Sequence, residues 1–281
     1  MDRFSQLWVD LGKLLSKYGT TYLNGLLNTL ILAVVATVIG CIIGFACGVI
    51  TTIPHSKKDN AFKRFILCAL RVIIRIYVEV FRGTPMILQA VFIYYGLPYF
   101  TGISFSNIWT VSIIVVSINT GAYMAESVRG GIISIDVGQT EGAMALGMNH
   151  FQTMLYVIIP QALRNIMPQI GNNYIINVKD TSVMFIIGFA EFFSIHKMVS
   201  GAVYQYFPSA MIEMIGYLTM TLIASFLLRY LEKKMDGKSS YELVAKDSLT
   251  MTGGTYRISE KKNSFNERNL EFEQAEIRGK R

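Results

Sequence analysis

Charge is what this sequence has least of. Only 16% of its 281 residues are Asp, Glu, Lys or Arg, where a soluble globular chain carries about 25%. The shortage is uneven: several stretches long enough to cross a bilayer are nearly uncharged, and the charges crowd between them. A hydrocarbon core of roughly 30 Å takes about 20 apolar residues of helix. With 52% hydrophobic residues and a mean hydropathy of +0.41, the chain reads as an integral membrane protein. Cysteine is scarce as well. Cys41, Cys47 and Cys68 make no CxxC pair and are odd in number, so neither a disulfide framework nor a metal site is implied. The three histidines, His55, His150 and His196, lie in or near polar loops, and no HExxH or GxSG occurs. An intramembrane protease needs a nucleophile with a base, paired carboxylates or metal ligands inside its spans, so no catalytic residue is assigned. A P-loop lysine is missing too, so the chain does not hydrolyse ATP alone. Nor does a cleavable signal peptide open it, since Asp10, Lys13 and Lys17 interrupt the apolar residues there. That stretch reads as a short amphipathic lead-in, with Trp8 and Tyr18 suited to an interface.

What is present is an all-α, polytopic pattern of five transmembrane segments, about 23–53, 84–100, 108–128, 161–193 and 208–231. The first carries Gly40, Gly44 and Gly48 on one helix face, which lets another helix approach closely. Between the first and second spans, Arg71, Arg75, Glu79 and Arg82 share one face of an apolar helix. Such a helix lies on a membrane surface, here the cytoplasmic one, and Arg82 is expected to pair with Glu79 or a headgroup. Glu126 and Arg129 end the third span as interfacial anchors, with Glu126 also able to face a cavity. In the fourth span, Pro168, Gly171, Asn172 and Asn173 weaken a continuous helix. Lys179 and Asp180 then stand at membrane depth, which is tolerated only against protein or a water-filled cavity. They read either as part of a pathway or as an internally paired clamp.

The net charge of +7 and pI near 9.2 fit membrane orientation rather than nucleic-acid binding. Lys57, Lys58, Lys63 and Arg64 follow the first span, and Arg229, Lys233 and Lys234 follow the fifth; the 101–107 loop has no basic residue. The positive-inside rule puts the first loop, the 130–160 segment and the C-terminus in the cytoplasm, and five crossings put the N-terminus outside. Residues 1–235 form the membrane domain. The 236–281 tail has few large apolar residues and no sustained periodicity, and is expected to be disordered or a short frayed helix.

The 130–160 segment carries the functional argument. Asp136 can cap a helix running through Glu141, Ala143 and Ala145, with Gly147 available to end it. A compact helical element between two spans suits docking on a cytoplasmic partner, or is an ordinary structured loop. The run Glu141-Gly142-Ala143, three residues, Gly147, nine residues, then Val157-Ile158-Ile159-Pro160 resembles the EAA motif of ABC-importer permeases, with Gly142 in place of an alanine. Further stretches are similar to the polar amino-acid branch of that family. They are Phe81-Arg82-Gly83-Thr84-Pro85, Gln89, Tyr94 to Pro98, Ala122-Tyr123 to Glu126, Arg129-Gly130-Gly131 and Lys179-Asp180-Thr181-Ser182, with Asn24, Gly25 and Thr29 fitting its first-span opening.

The resemblance implies a type I ABC-importer-like permease of the bacterial cytoplasmic membrane that carries a polar amino acid inward. Its second permease would be identical or a sister chain, and an extracytoplasmic binding protein would deliver the amino acid. A nucleotide-binding ATPase would dock on the EAA segment and hold ATP and magnesium, this chain having no cofactor of its own. Coupling roles follow for Glu141, Gly142, Ala143, Gly147 and Pro160, with Asp136 joining them as the cap of that helix. Pathway roles follow for Lys179, Asp180, Thr181 and Ser182, with Glu126 joining them as a residue able to face the cavity. A self-sufficient secondary transporter would show two similar halves, which five spans and one docking loop do not give. A membrane scaffold would explain the spans but not the EAA spacing.

Overall fold

The computed structural model describes residues 2–53 and 60–235. By internal contacts the chain divides into Met1–Glu232 and Lys233–Arg281. Of the second unit only the last residues of one helix are described, so the expected tail lies outside the described residues, as do Lys57 and Lys58.

The described residues form α-helices and short π- and 3-10 turns. In chain order the helices are α1 (Arg3–Thr52), α2 (Ala61–Gly83), α3 (Met86–Val91), α4 (Leu97–Thr101), α5 (Ile108–Ile133), α6 (Val137–Ala145), α7 (His150–Thr153), α8 (Ile159–Asp180), α9 (Phe192–Val203) and α10 (Tyr206–Met235). Three of them, α1, α5 and α10, are long and apolar enough to cross a bilayer. The stretch His150–Ile187 and α9, bent by 53°, make a fourth candidate, and Met86–Thr101 is a shorter apolar helical stretch.

α1 and α5 form the central seam. In a bilayer no hydrophobic driving force joins helices, so close packing has to. A Cβ built on Gly40 would meet the Thr120 Cβ at 2.6 Å, on Gly44 the Met124 Cβ at 2.3 Å, and on Gly48 the Val128 Cβ at 2.6 Å. The two backbones therefore approach along the expected glycine face. Both residue numbers rise by four at each step, so α1 and α5 run parallel. Outward, α1 presents Leu23, Leu27, Ile31, Val34, Val38 and Ile42, and α10 presents Leu218, Leu222, Phe226 and Leu227, an apolar exterior suited to lipid.

The structure corrects four expectations. The N-terminal lead-in is not separate: α1 starts at Arg3 and runs 50 residues, about 75 Å at 1.5 Å per residue, with Leu14 packed in a cluster with Val199 of α9. α2 does not simply lie on a surface, because Ile74 and Val78 are buried with Ala125 of α5, against Cys47 and Ile50 of α1. Arg82 pairs not with Glu79 but with Glu126, at 3.9 Å. Finally, α8 is continuous through Pro168, Gly171 and the two asparagines. The irregularity sits at its ends: a π-turn over Met154–Ile158 precedes Pro160, and a 3-10 stretch over Thr181–Ile187 follows Asp180, ending at Gly188 with φ +85°. The π-turn belongs where it is, since Pro160 has no N–H to donate into a regular ladder.

Candidate translocation cavity and coupling segment

Pro85 breaks the chain between α2 and α3, holding Thr84 extended (φ −120°, ψ 145°). The break leaves carbonyls at the α2 end without helical donors. Two buried or half-buried amides take them. Gln89 Nε2 donates to the Phe81 and Thr84 carbonyls and to Thr84 Oγ1, each at 2.9 Å. Asn119 Nδ2 of α5 donates to the Phe81 carbonyl at 3.1 Å and to Gln89 Oε1 at 3.0 Å. The 82–86 corner is thereby pinned to α5.

That corner borders a cavity of about 450 Å³, with Asn119, Thr120 and Tyr123 of α5 and Asn173, Asn177 and Asp180 of α8 on its other sides. Asn177 fastens its inner wall by donating to Thr37 Oγ1 of α1 at 2.7 Å and Thr120 Oγ1 at 2.9 Å. The charged lining residues are Arg82 and Asp180. Arg82 stacks 5.5 Å from the Tyr123 ring centroid and reaches toward Glu126, which accepts a charge-assisted hydrogen bond from Arg129. A guanidinium and a carboxylate across a cavity, with amide and hydroxyl groups between, match the two charges of a zwitterion.

The expected pathway residues divide. Asp180 lines this cavity, and Glu126 stands behind Arg82 at its edge. Thr181 is fully buried, its hydroxyl spent on the Val178 carbonyl at 3.1 Å. Lys179 and Ser182 face a different cavity. The sequence reading missed Asn119, Asn173 and Asn177; polar side chains in apolar spans at one level were the available signal. It missed Glu191 and Glu213 as well, lone carboxylates in or beside apolar runs that are 0% and 8% exposed.

The coupling segment is built from local bonds. Asp136 caps α6 by accepting from the Gly138 N–H at 2.7 Å. At the far end, the Gly147 N–H donates to the Met144 carbonyl (2.9 Å) and the Met148 N–H to the Ala143 carbonyl (3.1 Å). With Gly147 at φ +83°, this pair of bonds is a Schellman motif. Asn149 and Gln152 then form a reciprocal capping box, both bonds 2.9 Å, that starts α7. Ala143 is buried, while Glu141 and Gly142 are exposed. The Glu141 side chain makes no hydrogen bond or ion pair to another described residue. Around them Val137, Leu146, Phe151 and Tyr156 are exposed at 69%, 85%, 72% and 69%, an apolar patch of the kind that marks an interaction site.

The model of the binding-protein-dependent transport system inner membrane component family matches residues 44–237. The chain belongs to that family. Among its relatives, the glutamine transport system permease protein GlnP of Escherichia coli (strain K12) is 38% identical over 164 residues, 57% of this chain and 73% of that one. The arginine transport system permease protein ArtQ of Bacillus subtilis (strain 168) is 34% identical over 178 residues, 63% of this chain and 78% of the relative. Among solved structures, an amino acid ABC transporter crystallised with histidines superposes with a TM-score of 0.69 at 34% identity, covering 78% of this permease and 96% of that chain. An inward-facing structure of the MetNI methionine ABC transporter shares the fold, with a TM-score of 0.63 at 19% identity. The permease is thus an all-helical, multi-pass inner-membrane subunit whose neighbours are ABC importers.

Proposed function

We propose that this permease carries a polar amino acid into the cell as the membrane-spanning part of an ABC importer. A separate nucleotide-binding subunit hydrolyses ATP with magnesium and docks on the 130–160 segment. An extracytoplasmic binding protein supplies the amino acid, and a second permease, identical or related, completes the pore. The observation that carries this reading is the unbroken course of α8. It enters from the coupling segment at Pro160 and ends at Asp180 in the cavity, 22 residues or about 33 Å later. A displacement of α6 and α7 by the ATPase is delivered to the cavity by a rigid rod.

In this reading Glu141 and the Val137, Leu146, Phe151 and Tyr156 patch contact the ATPase, with Gly142, Ala143 and Gly147 shaping the surface and Asp136 and Pro160 fixing its two ends. Arg82 and Asp180 receive the amino acid's carboxylate and ammonium, and Glu126 with Arg129 holds Arg82 in place. The parallel α1–α5 seam supports five crossings. Between two parallel spans the chain has to return through the bilayer, and only α2 to α4 are available for it. The fifth crossing is therefore the broken α2–α3–α4 stretch. The positive-inside rule then puts the N-terminus outside and the C-terminus in the cytoplasm.

The test is ATP hydrolysis by the complex purified through a tag on this chain, with its binding protein and each amino acid in turn, beside Glu141→Lys. Stimulation by one amino acid that is lost in the variant is the expected result. Absence of a co-purifying ATPase, or hydrolysis indifferent to every amino acid, would overturn the importer reading.

A further inference from the structure

Adjacent residues of an α-helix project about 100° apart, so Lys179 and Asp180 cannot serve one cavity equally. Lys179 and Ser182 open on a second cavity of about 380 Å³ that Asp180 does not line. Its opposite wall is one stripe of α10, Ala210, Glu213, Met214 and Tyr217, and Phe193 of α9 closes one side. The volume lies in the range of about 300–1,000 Å³ usual for small-molecule sites.

Glu213 is the feature that needs explaining. It is the sole charged residue of α10 before Arg229, and an ionisable side chain in a membrane span marks function by default. It is 8% exposed and lines the cavity, yet accepts no hydrogen bond from a described residue. The surrounding groups make their hydrogen bonds and ring contacts elsewhere. His196 Nδ1 stands 3.8 Å away but shares a 2.9 Å hydrogen bond with Ser209 Oγ, which is also bonded to Tyr22. Glu191 accepts from the Phe193 and Ser194 N–H groups and from the Tyr217 hydroxyl. The Lys197 ammonium lies 5.8 Å from the ring centroids of Phe193 and Tyr206, and its charge acts on Glu213 from a distance, without an ion pair between them. Across the cavity the exposed Lys179 forms no ion pair with Glu213. A carboxylate and an ammonium thus face one space without meeting, and aromatic and thioether groups line the rest.

We propose that this second cavity binds a zwitterionic α-amino acid, its ammonium on Glu213, its carboxylate on Lys179 and its side chain against Phe193, Met214 and Tyr217. The ligand class rests on the amino-acid reading above; the site itself is separate from the Arg82–Asp180 cavity. Each permease chain then holds two amino acids, one on either side of the α8 end.

Equilibrium binding of each radiolabelled proteinogenic amino acid to the intact complex in nanodiscs tests this, with ATP hydrolysis recorded on the same samples. After the amino acid held by the binding protein, counted on that protein alone, is subtracted, the expected stoichiometry is two per permease chain in the parent, one in Glu213→Gln, one in Asp180→Asn and none in the double variant. Lys179→Met is expected to weaken the second site at least tenfold, and because Lys179 is exposed it gives the answer even if Glu213→Gln fails to assemble. One amino acid per chain, unaffected by Glu213→Gln or Lys179→Met, would overturn the second site; a cavity filled by the partner permease would give this result. With stimulated hydrolysis intact, that outcome leaves the importer reading standing. Absence of both binding and stimulation would sink both.

Discussion

Replacing Gly44 with alanine adds a single methyl group at the tightest point of the α1–α5 seam. The new Cβ would lie 2.3 Å from the Met124 Cβ and 2.8 Å from the Met124 carbonyl carbon and the Ala125 nitrogen. Carbon atoms rest at about 3.5–4.0 Å, so a gap of more than 1 Å has to open. The colliding atoms are backbone and Cβ, which cannot rotate away, and Met124 is 1% exposed. Overpacking of this kind costs about 1–3 kcal/mol, and the rigid neighbours place this case at the upper end. For a chain of this size 1 kcal/mol moves the midpoint by about 2–4 °C, so a fall of about 6–12 °C is expected. The assay is thermal unfolding of the purified permease followed by tryptophan fluorescence, at one fixed heating rate because membrane proteins unfold irreversibly. Gly12→Ala in the same helix is the control, since a Cβ there meets nothing within 4 Å. If Gly44→Ala and Gly12→Ala unfold together, α1 and α5 do not pack in this register.

Further substitutions address the other parts. Gly142→Ala, which supplies the alanine usual in the motif, meets no atom within 4 Å; it should stabilise α6 by about 0.5–1 kcal/mol and leave substrate-stimulated hydrolysis intact, and a loss of stimulation would contradict an exposed, space-filled docking face. Gly147→Ala, forced to keep φ +83°, costs about 1–2 kcal/mol, and co-purification of the ATPase should fall while unfolding of the spans barely changes. Gln89→Leu leaves the Thr84 carbonyl and a bond to Asn119 without a partner, a loss of about 1–3 kcal/mol. It should lower the unfolding midpoint and impair transport, and an unchanged transport rate would show that the 82–86 corner needs no pin.

The features legible in the sequence were those written in local chemistry. The four-residue spacing of Gly40, Gly44 and Gly48 gave a helix face, and α5 lies on it. Asp136 and Gly147 gave the two ends of α6, because a cap and a left-handed residue act within one turn. Pro168 misled. It removes one bond from α8, but the packing of Ile166 against α5 and the bonds of Asn173 and Asn177 hold the helix unbroken. The Arg82–Glu126 pair was hidden because its members are distant in sequence, whereas Glu79 was near. The parting of Lys179 from Asp180 follows from helix geometry, yet which way each turns depends on α10 and α5, whose positions no local pattern gives. Gln89 and Asn119 matter only through the carbonyls of a broken helix end, which exist once the break is known.

The caps at both ends of the coupling helix have a mechanical consequence. Its cap, its closing turn and the box that starts α7 are all bonds between residues a few positions apart. Few ties reach the long helices: Gln161 to Gln139 at 3.2 Å and Asn165 to Ser134 at 3.2 Å are two of them, both between exposed side chains. Rearrangement of the spans therefore leaves the docking shape as it was. In the proposed importer the segment would serve as the ball of a joint, keeping one form in a closed socket while the bending falls to the Ser134–Ile135 strap and the π-turn before Pro160.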